Sequence, residues 1–174
     1  TGDLVAVKVS APDGIALGAQ TRREIASLRA VQLPGVVRLL DEVREGGQWF
    51  VVMELIRGAA FPGRGLPASW GDIAETTRSL LEILARVHAA GVVHQDLKPS
   101  NVLVHEGRPT LLDFGVAWGG LYDEVHGGDR AGTPAYMAPE QVEGKVADER
   151  ADIYALGAML FELCTGDVPW RGDN

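Results

Sequence analysis

The fold of this chain is decided by His94-Gln95-Asp96-Leu97-Lys98-Pro99-Ser100-Asn101 and, shortly after it, Asp113-Phe114-Gly115. Two carboxylates, Asp96 and Asp113, one ammonium, Lys98, and two carboxamides, Gln95 and Asn101, stand in that short window. Their chemistry suits transfer of a phosphoryl group from a metal-bound nucleotide. A carboxylate must accept the proton of an incoming hydroxyl, and a cation must meet the charge on the moving group. Oxygen ligands must hold Mg²⁺, which takes a carboxylate or two and completes its shell with phosphates and water. A lone Asp or Asn in a loop is more often a turn or cap residue. The co-occurrence of these residues, in order and between short apolar runs, argues against that plainer reading.

Outward from this window, Val102 to Val104 and Thr110 to Leu112 read as short strands around a turn at Glu106-Gly107. Residues 115–132 hold six glycines and no periodicity, which predicts a loop. Upstream, Ser69-Trp70-Gly71-Asp72 resembles a capping box with Asp in place of Glu. The helix it opens carries Ile73, Thr77, Leu80, Leu81, Leu84, Val87 and His88 on one face, with Gly91 in the C-terminal cap position. A last helix is expected over Glu149 to Cys164, with Ile153, Leu156, Leu160 and Leu163 inward and Gly166 at its end. His88 reads as a satisfied core histidine, and His105 and His126 as loop surface.

Nearer the start, Leu4 to Val9 is a short β-branched strand. Ile25, Leu28 and Val31 give residues 19–32 a helical period that Pro34-Gly35 ends. Strands are expected over Val36 to Val43 and Gln48 to Glu54, joined by a hairpin turn at Glu45-Gly46-Gly47. Gly58, Pro62, Gly63, Gly65 and Pro67 make residues 57–67 the candidate hinge between two lobes.

At 174 residues and 46% apolar, the chain can bury a sizeable core, which excludes a disordered segment. A net charge of −8 and a pI near 4.9 argue against nucleic-acid or anionic-membrane partners, both of which need a basic patch. The single cysteine, Cys164, cannot form an internal disulfide and reads as a buried packing residue in a reducing compartment. No run reaches the ~20 apolar residues of a membrane span, and no signal peptide is visible at the start. Membrane contact within this segment is therefore not expected. The chain opens inside a patterned strand, which leaves an upstream targeting segment or membrane anchor open.

Together with Gly132-Thr133-Pro134-Ala135-Tyr136-Met137-Ala138-Pro139-Glu140, the strings at 94–101 and 113–115 resemble the catalytic loop, metal loop and substrate-docking wall of eukaryotic-type serine/threonine protein kinases, in a form most like the bacterial ones. The resemblance implies an α+β, two-lobed protein-kinase fold, with a small antiparallel lobe plus one helix over 1–56 and a mainly helical lobe over 57–174. It implies ATP with Mg²⁺ (or Mn²⁺) as cofactor, a protein serine or threonine as acceptor, and a cytoplasmic setting. Asp96 takes the role of catalytic base and Lys98 that of the γ-phosphate contact. Asn101 and Asp113 become the metal ligands. Lys8, in Val5-Ala6-Val7-Lys8, means little alone, but in the family it binds the α- and β-phosphates and pairs with a helix glutamate, here Glu24.

The same resemblance places Ala6 and Leu103 on either face of the adenine and Met53 at the back of its pocket, with backbone groups of Glu54 to Ile56 at its edge. Leu28, Leu39, His94 and Phe114 fall where the family stacks an internal column, and Asp152 where an aspartate anchors it. Gly115 completes the metal loop. Thr133 would hydrogen-bond toward Asp96 and Lys98, and Glu140 would pair with an arginine far downstream.

Three departures stand out. Gln95 replaces the arginine that clamps an activation-loop phosphate in most regulated kinases, and a neutral amide cannot make that charge-assisted pair. Residues 114–132 contain no Ser or Thr, and Tyr122 is the only hydroxyl side chain there. Activation independent of phosphorylation in this loop follows as an expectation. The Gly-rich loop expected before Lys8 and the helices expected after Trp170 fall outside the sequence, so the resemblance implies an incomplete domain with uncovered apolar faces and weak ATP affinity in isolation. The rival readings are a pseudokinase or scaffold, which usually lacks one of the Lys, Asp or Asn residues present here, and a small-molecule kinase, which lacks the docking string. A metal-dependent hydrolase needs more histidine ligands than surround Asp96.

Overall fold

A computed structural model describes residues 2, 4–10, 15–62, 67–114 and 134–170. Thr133 and the whole of the expected loop at 115–132, with Gly115 and His126, lie outside the described residues. The strand expected at the start forms as β1 (Val5–Val9). Helix α1 spans Ile15–Ala30, so it opens earlier than its apolar spacing indicated. It is followed by β2 (Leu39–Glu45) and β3 (Gln48–Glu54). These strands form an antiparallel sheet in the order β1-β3-β2. Gly46 and Gly47 close the β2–β3 turn with φ of 57° and 80°, a backbone that only glycine adopts freely at two successive positions.

The second half is built on α2 (Trp70–Ala89) and a small sheet of β4 (Ala59–Ala60), β5 (Val102–His105) and β6 (Arg108–Leu111). A 3₁₀ turn at Pro99–Asn101 leads into β5. Another at Pro134–Tyr136 precedes the short α3 (Pro139–Val142), and α4 (Glu149–Thr165) completes the described part. The core lies between α2, the β5–β6 hairpin and α4, with Leu28 of α1 and Val31 just after it joining from the first sheet's side.

Several expectations are corrected. The strand over 36–43 begins only at Leu39, because Val36 and Val37 belong to the other sheet. Val36 bridges Leu111, and the Val37 N–H donates to the Leu111 carbonyl at 2.9 Å. The segment read as a hinge is partly pinned: Ala59 and Ala60 pair with Val104 and Leu103, and the Phe61 N–H donates to the Val102 carbonyl at 2.8 Å. Ser69 does precede α2, but its hydroxyl donates to the Asp72 carboxylate at 2.6 Å and makes no cap to the backbone.

Leu81 and Ile153 are exposed rather than inward; α2 buries Thr76 and Ile83, and α4 buries Ala155 and Met159. Cys164 is exposed too, since its neighbour Leu163 takes the inward position. His105 is exposed as expected, but at the end of β5 and not in a loop. The outward valines of β1 (Val5, Val7 and Val9) are 41–51% exposed.

The link between the two sheets depends on Gly35. Its φ is 90°, its carbonyl accepts the Leu111 N–H at 2.8 Å, and a Cβ there would sit 2.4 Å from Cδ1 of Ile83. Gly35→Ala is expected to destabilise the fold by at least about 1 kcal/mol, from backbone strain plus the clash. Urea unfolding of the variant beside wild type measures it, and an unchanged midpoint would contradict the assignment.

Candidate active site

Alternation along β1 turns Ala6 and Lys8 to the face opposite the exposed valines. Lys8 Nζ donates to Glu24 Oε1 of α1 at 2.8 Å and to Asp113 Oδ1 at 2.6 Å, the latter 105 residues away in sequence. Glu24 is almost wholly buried, whereas Lys8 and Asp113 are partly open. Burial works against the charge on Lys8, but the two carboxylates outweigh it and hold the ammonium above its ordinary pKa. Burial pushes Glu24 up, with Lys8 opposing. Burial also opposes the charge on Asp113, yet Lys8 keeps that carboxyl below the usual range.

These groups line one cavity of about 340 Å³. Ala6, Met53, Glu54, Ile56, Leu103 and Asn101, all singled out from the sequence for a nucleotide or its metal, line the same cavity. Glu54 pairs with Arg38 twice: its Oε1 accepts the Arg38 N–H at 2.8 Å, and its own N–H donates to the Arg38 carbonyl at 3.0 Å. Leu55, within the stretch expected at the adenine edge, lines it too; Val37, Ser100 and Leu112 also line the cavity and were not picked out. The signal for Ser100 and Leu112 was adjacency to Asn101 and Asp113.

The loop from His94 to Asn101 is hung on Asp152, a fully buried carboxylate in the first turn of α4. Asp152 Oδ2 accepts the His94 N–H at 2.9 Å and His88 Nε2 at 2.7 Å, and Oδ1 accepts the Gln95 N–H at 2.8 Å. His88 is thus a satisfied core histidine, as read. His94 Nε2 donates to the Leu112 carbonyl at 2.8 Å, and its Nδ1 accepts the Asp96 N–H at 3.3 Å, which assigns the proton to Nε2. Its ring lies 4.7 Å from that of Phe114, both fully buried. Leu28 and Phe114 share one core against which Leu39 packs, so the four residues of the expected column meet in one region.

Asp96 Oδ2 accepts from Lys98 Nζ at 2.8 Å and from Asn101 Nδ2 at 3.0 Å. Its Oδ1 is buried and has no partner among the described residues. Asn101 Nδ2 also donates to the Asp96 carbonyl at 2.8 Å, which leaves the carboxamide oxygen as the atom for a cation. Asn101 and Asp113 border the same cavity, and their side-chain oxygens are hard donors of the kind Mg²⁺ takes alongside phosphate and water. Two loop residues sit at positive φ, Gln95 at 64° and Asp113 at 52°. Strain of that kind costs on the order of 1–3 kcal/mol per residue and persists only where surroundings enforce it.

On the other side of the loop, the Tyr136 hydroxyl donates to Glu162 Oε2 at 2.6 Å, and burial with that carboxylate pushes the phenol well above its usual range. Glu140 is half-buried and borders a separate hollow with Lys145, Asp148 and Arg150. Among the described residues, no helix is long and apolar enough to cross a membrane.

All 174 residues match the sequence model of the protein kinase domain, and the chain belongs to that family. The DNA damage-responsive serine/threonine-protein kinase RqkA of Deinococcus radiodurans is 37% identical over 163 residues, covering 87% of this chain and 24% of the relative. The probable serine/threonine-protein kinase pknA2 of Bifidobacterium longum is 35% identical over 158 residues, covering 88% and 21%. The serine/threonine-protein kinase PknL of Mycobacterium tuberculosis is 35% identical over 159 residues, covering 88% and 40%. The chain thus spans between a fifth and two fifths of the length of these relatives. Its antiparallel sheet and helices are those of a partial two-lobed α+β kinase fold.

The ion cluster has a consequence for pH. Lys8→Met strips the cation from a carboxylate only 4% exposed. The folded-state pKa of Glu24 then climbs further above its unfolded value. A group with a raised folded pKa stabilises at low pH and loses that stabilisation as pH rises through it. The melting temperature of the variant should therefore fall from about pH 5 to pH 8, across the range a raised Glu titrates, more steeply than that of wild type. Parallel melting profiles for the two proteins would exclude this account of the cluster.

Proposed function

We propose that this domain transfers the γ-phosphoryl group of ATP to serine or threonine hydroxyls of proteins. The observation that carries the reading is convergence. A strand lysine, a helix glutamate and two loop oxygen ligands, separated by up to 105 residues, border one cavity. The divalent ion, bound with ATP, supplies charge neutralisation at the β- and γ-phosphates.

Asn101 and Asp113 hold that ion. Lys8, freed from Asp113 when phosphate arrives, meets the α- and β-phosphates while Glu24 keeps it aimed into the cavity. Ala6 and Leu103 sandwich the base, Met53 closes the back, and the backbone from Glu54 to Ile56 reads its edge. Asp96 takes up the acceptor hydroxyl through Oδ1, the oxygen with no partner among the described residues. Lys98, 2.8 Å from Asp96 Oδ2, meets the moving charge. Lys98 together with Thr133 in the docking string favours serine and threonine over tyrosine. His94, Phe114, Gly115, Glu140 and Asp152 are structural supports. Residues 1–56 form the small lobe and 57–174 the large one, acting in the cytoplasm.

Asp96→Asn should lower kcat on a generic Ser/Thr peptide by about 10²–10⁴-fold, the usual reach of a positioned acid or base, with nucleotide affinity retained. Unchanged turnover in this variant would remove Asp96 from the chemistry. A wild-type protein that binds ATP but transfers nothing would make the domain a binding module instead.

Activation is expected to be independent of loop phosphorylation, given Gln95 and the absence of Ser and Thr from 114–132. Mass mapping of the expressed protein, with activity assayed before and after phosphatase, tests this. Loss of most activity on removal of a phosphate mapped to that segment would refute it.

A further inference from the structure

We infer that Gln141, in the short helix α3, is a positioning residue for Asp96. The inference rests on the phosphotransfer reading above.

The peptide unit joining Gln95 to Asp96 is fixed at both ends. Its oxygen accepts from Gln141 Nε2 at 2.8 Å, and its N–H donates to His94 Nδ1 at 3.3 Å. This peptide follows Gln95 at φ 64°, a conformation that a residue with a side chain leaves unless held. Its plane also sets where the Asp96 side chain begins. Asp152 restrains the preceding peptide by accepting the Gln95 N–H, but it does not touch the peptide that carries Asp96.

Gln141 is itself held. Its Oε1 accepts the N–H of fully buried Ala138 at 3.1 Å, closing half of a capping box at the start of α3. One carboxamide, just past the docking string, therefore donates to the catalytic loop and accepts from the string itself at Ala138. Only a neutral amide of this length does both. Glutamate keeps the contact to Ala138 and sets a carboxylate against the Gln95 carbonyl; alanine loses both bonds. This clamp is uncharged, and it orders the loop next to Asp96 at the position where a phosphate-binding arginine is missing.

The test uses the full-length gene product carrying Gln141→Glu and Gln141→Ala. Peptide phosphorylation gives kcat and KM for ATP, and amide hydrogen exchange is read on the peptide covering residues 94–98. Both variants should lose about 10- to 100-fold in kcat, the scale of a slight misplacement of a reacting group, with KM for ATP within about twofold of wild type. Exchange at the Asp96 amide should rise while the melting temperature holds.

Unchanged kcat in both variants overturns the inference, as does a fall in kcat matched by lost ATP affinity and a lower melting temperature, which marks a merely structural residue. If the wild-type protein transfers no phosphate, the functional reading fails on its own. The exchange measurement then still decides whether Gln141 holds the loop, and unaltered exchange overturns that.

Discussion

A single buried carboxylate organises the second half of this molecule. Asp152 is fully removed from water, and an unpaired charge there would be far too costly to keep. Three donors from two different elements satisfy it: the His94 and Gln95 amides and the His88 ring. Its place in the first turn of α4 adds the favourable end of the helix dipole. The loop that carries Asp96, Lys98 and Asn101 can hold a strained backbone because this anchor fixes it from beneath.

The second organising charge is Lys8. Its ammonium ties the small sheet to α1 through Glu24 and to the far loop through Asp113. Each carboxylate alone would resist burial, and the shared cation is what makes a cluster of two acids and one base tolerable. The arrangement is also one that an incoming polyphosphate can rearrange. Under the proposed phosphotransfer, a triphosphate would offer Lys8 a stronger partner than Asp113, and a divalent ion would offer Asp113 a stronger partner than Lys8. On that reading the two anchors divide the work, Asp152 setting the hydroxyl side of the reaction and Lys8 the nucleotide side.

The candidate residues for that chemistry stood out in the sequence because they form a local pattern. An Asp, a Lys and an Asn at fixed offsets in a short loop have few other reasons to coexist. The β2–β3 turn was equally plain, since only glycines accept its backbone cheaply. Buried faces were less legible. Leu81 follows Leu80 by one residue, about 100° around the helix, and periodicity alone could not say where the apolar stripe ended. Ile153 and Cys164 were misjudged for the same reason, because an apolar residue is buried only where another element covers it. Gln141 went unnoticed, although a Gln at the third helical position after a cap is a known backbone-satisfying pattern.

The sequence by itself determined the kinase family, the order of the small strands and helices, and the residue types able to handle phosphate and metal. Those follow from local spacing and side-chain chemistry. Tertiary structure alone decided that Val36 and Val37 join the far sheet, that Ala59 and Ala60 are paired rather than free, and that Lys8 meets Asp113 across the chain. These are contacts between segments distant in sequence, set by which surfaces pack together, and no local pattern encodes them.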